Sequence, residues 1–163
     1  MKQKYTVRPI EERDNKEIER IIRSCLAEFG GDHDGTAWAD PMLGRFSEVY
    51  SAEGARYWVA EDEAGALAGG CGIGPLDSKG LCELQKMYLV PAARGTGLAQ
   101  RLLDGALAYA SQRYERCFLE TLESMTAAQR FYERNGFIRI YEPPVKTEHY
   151  ACGVRYILKL QKG

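Results

Sequence analysis

The 163 residues include two histidines and five cysteines, and no cysteines form a Cys-x-x-Cys pair. Cys25, Cys71, Cys82, Cys117 and Cys152 are odd in number and widely spaced. That spacing speaks against a disulfide framework and a zinc site, and leaves them as small buried hydrophobes. His33 lies in Gly31-Asp32-His33-Asp34-Gly35, where polar residues between glycines make a turn more readily than a metal cluster, so no metal is expected. No apolar run approaches the roughly eighteen residues of a membrane-spanning helix, and the first five residues lack the apolar segment of a signal peptide. The expectation is a cytoplasmic protein with no membrane partner. A net charge of −1 with scattered basic residues provides no field to gather nucleic acid. Repeats, linkers and low-complexity tracts are lacking as well.

What is present is an ordinary globular composition, 45% hydrophobic and 28% charged. A chain of this length buries about two-thirds of its unfolded surface around one core, so residues 1–163 are read as a single domain. Tyr5 to Pro9 alternates as a first strand and leads into a helix, with Asp14 placed to cap it. Ile18, Ile21, Ile22, Cys25, Leu26 and Phe29 recur at helical spacing until Gly30-Gly31. A short second helix is expected after Pro41, with Trp38, Phe46 and Tyr50 read as covering the core in preference to lining a substrate site. Arg56 to Glu61 and Leu67 to Ile73 read as a hairpin across Asp62-Glu63-Ala64-Gly65. Gly69, Gly70, Gly72 and Gly74 crowd the second of these strands, which implies a bulge or a close approach. Leu81 to Val90 is a fourth strand.

After Pro91 a third helix buries Leu98, Leu102, Leu103, Ala106, Leu107 and Ala110. Arg116 to Leu122 is the next strand, and a crossover helix between two strands implies that they are parallel. Thr126-Ala127-Ala128-Gln129 reads as a capping box for a fourth helix ending at Gly136. Phe137 to Tyr141 and Val154 to Leu160 complete about seven strands around a Pro143-Pro144 loop. An exposed last strand would offer an edge for pairing in a homodimer.

The junction Arg94-Gly95-Thr96-Gly97-Leu98-Ala99-Gln100, between a strand and a helix, is suited to an anion. The first amides of a helix lack intrahelical partners and lie at its positive end. Gly95 and Gly97 allow close backbone approach, and Arg94 and Arg101 add charge at the rim.

Arg94-x-x-Gly97-x-Ala99 resembles the signature loop of the GNAT superfamily of N-acetyltransferases. Phe131-Tyr132-Glu133-Arg134-Asn135-Gly136-Phe137 resembles a second element of that family, and together they cover about residues 81 to 140. The resemblance implies a mixed α/β domain with a mostly antiparallel sheet and one parallel pair splayed around acetyl-CoA. It also implies transfer of an acetyl group to a primary amine of a small molecule or peptide, by direct attack in a ternary complex. The amides of Gly95 to Gln100 would hold the pyrophosphate, and the backbone of Met87, Tyr88 and Leu89 the pantetheine arm. One departure stands out. Met125 occupies a place where many members carry asparagine, and it cannot make the same hydrogen bond.

An alkylamine of pKa about 10.4 is mostly protonated at neutral pH, a shortfall of roughly 4 kcal/mol, so a carboxylate that takes its proton matters. By resemblance Glu83, eleven residues before Arg94, is the base. Glu120 is the competitor, and a strand-edge carboxylate in a salt bridge is the bland alternative for either. Tyr132 matches the family's tyrosine near the CoA sulfur. A phenol near pKa 10 protonating a thiolate near 8.5 runs uphill by roughly 2 kcal/mol, so hydrogen-bond stabilisation is the expected role. Two rival readings are a CoA-binding sensor without catalysis and a dinucleotide module. Against the latter, position 100 is Gln100 rather than glycine, and neither Glu115 nor Glu120 is evidently at a strand tip.

Overall fold

The computed structural model describes residues 4–76, 80–144 and 153–162. Seven strands form one sheet: β1 Thr6–Pro9, β2 Arg56–Glu61, β3 Leu67–Pro75, β4 Leu81–Leu89, β5 Arg116–Thr121, β6 Ile138–Ile140 and β7 Val154–Lys159, in the order β1-β2-β3-β4-β5-β7-β6. Four helices flank it: α1 Asn15–Glu28, α2 Phe46–Val49, α3 Leu98–Ser111 and α4 Thr126–Arg134. All strand pairs are antiparallel except β4 and β5, as the crossover through α3 requires.

The apolar stripes divide between the two faces. Ile18, Ile21, Ile22, Cys25 and Leu26 of α1 pack with Phe46, Tyr50 and Tyr57 on one face. Leu98, Leu102, Leu103, Ala106 and Ala110 of α3 pack with Cys71, Leu84, Leu119 and Tyr156 on the other. Each fully buried Ile or Leu contributes about 2 kcal/mol of burial, so the stripes seat their helices even where the ends lack side-chain caps.

Neither expected cap makes a side-chain bond to its helix. A 3-10 turn over Glu12–Asp14 precedes α1, and the Asp14 carboxylate accepts from the Glu11 amide at 2.8 Å and from Arg8 at 2.7 and 2.9 Å. Asp14 therefore ties the turn to β1 and makes no side-chain cap to α1. In α4, Thr126 is the first helical residue and Met125 the N-cap, without a side-chain bond. Gln129 instead donates to the carbonyls of Leu122 and Glu123. The last strand is also not an edge: β7 lies between β5 and β6, and β6 is the outer strand, with Ile138 exposed. The proposed dimer edge on the last strand is thus already paired. Cys152 lies outside the described residues, and the four described cysteines are buried free thiols.

Two irregularities shape the centre. Opposite β3, Gly70 pairs with Tyr88 but Gly72 pairs with Gln85, so β4 carries one extra residue between them. Lys86 sits there at φ +51°, a conformation costing a side-chain-bearing residue about 1–2 kcal/mol. It is held by a Lys86–Asp40 ion pair at 3.1 Å and by the Tyr57 hydroxyl, which donates to the Lys86 carbonyl at 2.7 Å. The second irregularity is the brevity of the parallel pair, which runs only through Leu81–Arg116, Cys82–Cys117 and Glu83–Phe118. Beyond Glu83 the two strands separate.

Candidate active site

The separation of β4 from β5 opens two adjoining cavities. One, of about 330 Å³, runs from Gly95, Arg94 and Ala99 past Phe131 to Met87, Tyr88 and Tyr132. The other, of about 60 Å³, is lined by Glu83, Gln85 and Tyr88 from β4, Glu120 from β5 and Tyr132 from α4. Met87, Tyr88, Met125, Ala128 and Tyr132 line both, so a molecule in the longer groove meets one in the smaller cavity at the splay.

At the far end of the groove the chain turns through Gly95 (φ +73°) and Gly97 (φ +89°), the latter serving as N-cap of α3. Thr96 Oγ1 donates to the Ala93 carbonyl at 2.5 Å, which closes the turn, and accepts from the Leu98 amide at a long 3.4 Å. A Cβ on either glycine would meet nothing within 4 Å. The backbone is therefore bare and open where α3 begins, a fit for a phosphate group at a helix N-terminus.

The side chains of this segment are engaged elsewhere. Arg94 pairs with Glu28 at 2.6 and 2.9 Å, lies over the Phe29 ring, and donates to the Leu89 carbonyl at 3.2 and 3.1 Å. It fastens the loop to the end of α1. Cys25 Sγ also donates to the Leu89 carbonyl, at 3.3 Å, so of the three β4 residues expected to pair with a pantetheine arm, Leu89 has its acceptor occupied. The Gln100 side chain is bound to Asn135 and Asp104, which joins α3 to α4 and leaves the amide as its contribution to the loop.

Glu83 is buried, 8% exposed, with Gln85 Nε2 donating to its Oε1 at 2.8 Å. Burial raises its pKa above the ordinary carboxylate value, against the lowering effects of the Gln85 bond and the Lys86 charge. Glu120 faces the same cavity but is ion-paired with Arg155 of β7 at 3.1 Å. The two candidates differ accordingly: Glu120 is matched by a guanidinium, whereas the hydrogen bond that Glu83 receives is from a neutral amide.

Tyr132 is buried against Phe131, Phe137 and Tyr156, with ring centroids 5.6, 5.7 and 6.3 Å away. Burial pushes its pKa above the usual phenol value, which favours the hydroxyl as a donor over full proton release. Sequence reasoning missed Gln85 and gave Tyr50 no committed place in the site. Gln85 lies two residues from Glu83, so strand alternation offered a signal for it, whereas Tyr50 reaches the site only through the tertiary fold.

Residues 53–139 match the family described as "Acetyltransferase (GNAT) domain". The chain is 43% identical over 151 residues to "Uncharacterized N-acetyltransferase YjgM" of Escherichia coli, with 90% of each chain covered. A solved acetyltransferase of the GNAT family from Staphylococcus aureus superposes with a TM-score of 0.86 at 22% identity, covering 97% of this chain and 100% of that one. A GNAT superfamily phosphinothricin acetyltransferase from Sinorhizobium meliloti, solved in complex with AcCoA, superposes at 0.75 with 19% identity, covering 100% and 91%.

Proposed function

The chain belongs to the GNAT acetyltransferase family and is an acyltransferase; from that premise we propose that it transfers an acetyl group from acetyl-CoA to a primary amine of a small molecule or peptide. The observation that carries this reading is that Glu83 and Tyr132, from different elements, line one buried cavity at the end of a groove that begins at the Gly95–Gly97 turn. Bound acetyl-CoA supplies an activated acyl thioester. The amides of Gly95 to Gln100 hold its phosphates, and the backbone of Met87 and Tyr88, with the Leu89 amide, orients the arm that follows. These residues suit the role because the turn is open at both glycines.

Glu83 takes the proton of the acceptor amine, directly or through a water. A carboxylate raised above its ordinary value by burial is a stronger base than an exposed one. Tyr132 donates a hydrogen bond to the sulfur as negative charge develops there, and its raised pKa argues against full proton transfer. Attack is direct, without an acetyl-enzyme. Cys25, the cysteine that lines the groove, has its thiol pKa raised by burial, and among the described residues no histidine lines either cavity.

The test is acetyl-CoA-dependent thiol release over a panel of amines and peptides, run on Glu83→Gln, Glu120→Gln and Tyr132→Phe. Glu83→Gln should lose about 10²–10⁴-fold in kcat/KM, less at high pH where more of the amine is already neutral. Tyr132→Phe should lower kcat with CoA affinity little changed and no rescue at high pH. A pH-rescued loss in Glu120→Gln, with Glu83→Gln behaving as wild type, would move the base to β5.

A further inference from the structure

The glycine run of β3 has no part in the reaction just outlined, and neither does Tyr50, although both converge beneath Glu83. Tyr50 follows α2 and is buried, its ring edge-on to Phe46 at 5.2 Å and tilted against Tyr57 at 5.2 Å. Its hydroxyl donates to Gln85 Oε1 at 2.8 Å, and the other end of the same amide donates to Glu83 Oε1 at 2.8 Å. Bare backbone of β3 underlies this chain of bonds. A Cβ on Gly72 would come within 2.7 Å of the Tyr57 ring and 2.9 Å of the Tyr50 ring, and one on Gly74 within 2.7 Å of Gln85 Oε1. Alternate positions on one face of the strand are thus empty where the two tyrosines and the amide lie.

We propose that Tyr50 is a positioning residue that acts through Gln85, on a floor of β3 glycines, to fix which oxygen of Glu83 is occupied and which is left to take the proton of the acceptor amine. The inference rests on Glu83 being the base.

The physical argument turns on the two ends of an amide. An ionised carboxylate only accepts hydrogen bonds, so it needs the NH₂ end of Gln85; a protonated one tolerates the carbonyl end equally well. Gln85 alone would follow the protonation state of Glu83. Tyr50 biases that choice, because a reversed amide would cost its hydroxyl the acceptor it now has in Gln85 Oε1. Burial holds it as a phenol, and its proton goes to the amide carbonyl, which turns the NH₂ toward Glu83. Donation to the charged form favours ionisation and opposes the burial penalty. Among the described residues, the charged and titratable groups around Glu83 are Lys86 on the same strand, paired with Asp40; Glu120 on β5, paired with Arg155 of β7; the buried Cys117 thiol of β5; Tyr88 of β4 and Tyr132 of α4, which line the same cavity; and Tyr50 itself.

The test reads Glu83 and catalysis separately. Carboxyl-carbon NMR of glutamate-labelled protein, with the Glu83 signal identified by its loss in Glu83→Gln, gives the titration midpoint; the pH profile of kcat/KM gives the acid limb. Gly74→Ala is the principal variant, because the three atoms its methyl would come nearest all belong to the movable amide of Gln85. Gln85→Met and Tyr50→Phe accompany it. In Gly74→Ala and Gln85→Met the Glu83 midpoint should rise by about one pH unit and the acid limb should move with it. Below the limb kcat/KM then falls ~10-fold, while the high-pH plateau stays within about twofold of wild type. Tyr50→Phe should shift both in the same direction by less. A Glu83 midpoint unmoved in all three variants would overturn the proposal whatever the rates did. A midpoint that moves while the acid limb stays fixed would overturn Glu83 as base, and with it the use of this array in the reaction.

Discussion

Glycines gather in two stretches of this chain, β3 and the turn ahead of α3, and the missing side chain serves opposite ends in the two. On β3 the space is already taken: a Cβ on Gly70 would come within 2.5 Å of the Trp58 carbonyl and 2.6 Å of the Tyr57 ring. At Gly95 and Gly97 a Cβ would meet nothing, and both residues have positive φ. The first set lets the protein pack against itself. The second leaves backbone exposed in a conformation that L side chains resist. Absence of a side chain is thus no guide to a ligand until one knows whether the vacated space is filled from within the fold.

The comparison can be broken by substitution. Gly70→Ala should have the largest effect on stability, a loss of about 3 kcal/mol, because a methyl there meets backbone as well as a buried ring. Denaturant unfolding measures it, and the folded fraction should still bind CoA. Gly97→Val should cost less stability, about 1–2 kcal/mol from the left-handed conformation, but calorimetry should show at least about a tenfold weaker affinity for CoA as the β-branched side chain obstructs the amides. Unchanged CoA affinity in folded Gly97→Val would remove the distinction between the two stretches. Gly105, exposed within α3 with open space around it and no positive φ, is neither kind. Gly105→Ala should stabilise by about 0.5–1 kcal/mol and leave activity alone.

A different sign of effect is expected at Glu83. Its folded pKa is raised by burial, so ionising it costs stability. That cost is absent below the unfolded value of about 4.3 and complete above the folded value. Glu83→Gln should therefore unfold at a higher temperature than wild type near pH 7, with the gain vanishing as the pH falls toward about 4.

Much of this was open to reading from the residues. The stripe from Ile18 to Leu26, the hairpin across Asp62–Gly65 and the parallel pair around α3 follow from periodicity and connection length alone, and the structure has them. Less legible were features set by a choice among possible partners rather than by residue type. Asp14 is a good cap residue by type, yet Arg8 and the Glu11 amide engage it instead. The insertion of β7 between β5 and β6 depends on a return connection that no local pattern encodes. The site divides in the same way: the turn at Gly95–Gly97 announces itself by type and spacing and Glu83 enters through the family resemblance, whereas Tyr50 reaches Glu83 through Gln85, 35 residues further along the chain.

The extra residue at Lys86 also acts on parity. Side chains on a strand alternate with period two, so residues three apart point to opposite faces. Here Leu84 and Met87 both pack on the α3 side of the sheet, and the extra residue is what lets them do so. The two halves of β4 are thus out of phase by one position, and each aligns its own set of side chains. Excising Lys86 would leave every other side chain on its present face. Making the strand regular with Lys86 retained and the half around Tyr88 held in place would instead turn Glu83 into the apolar layer beneath α3, and bring Cys82 and Leu84 to the cavity face in its stead.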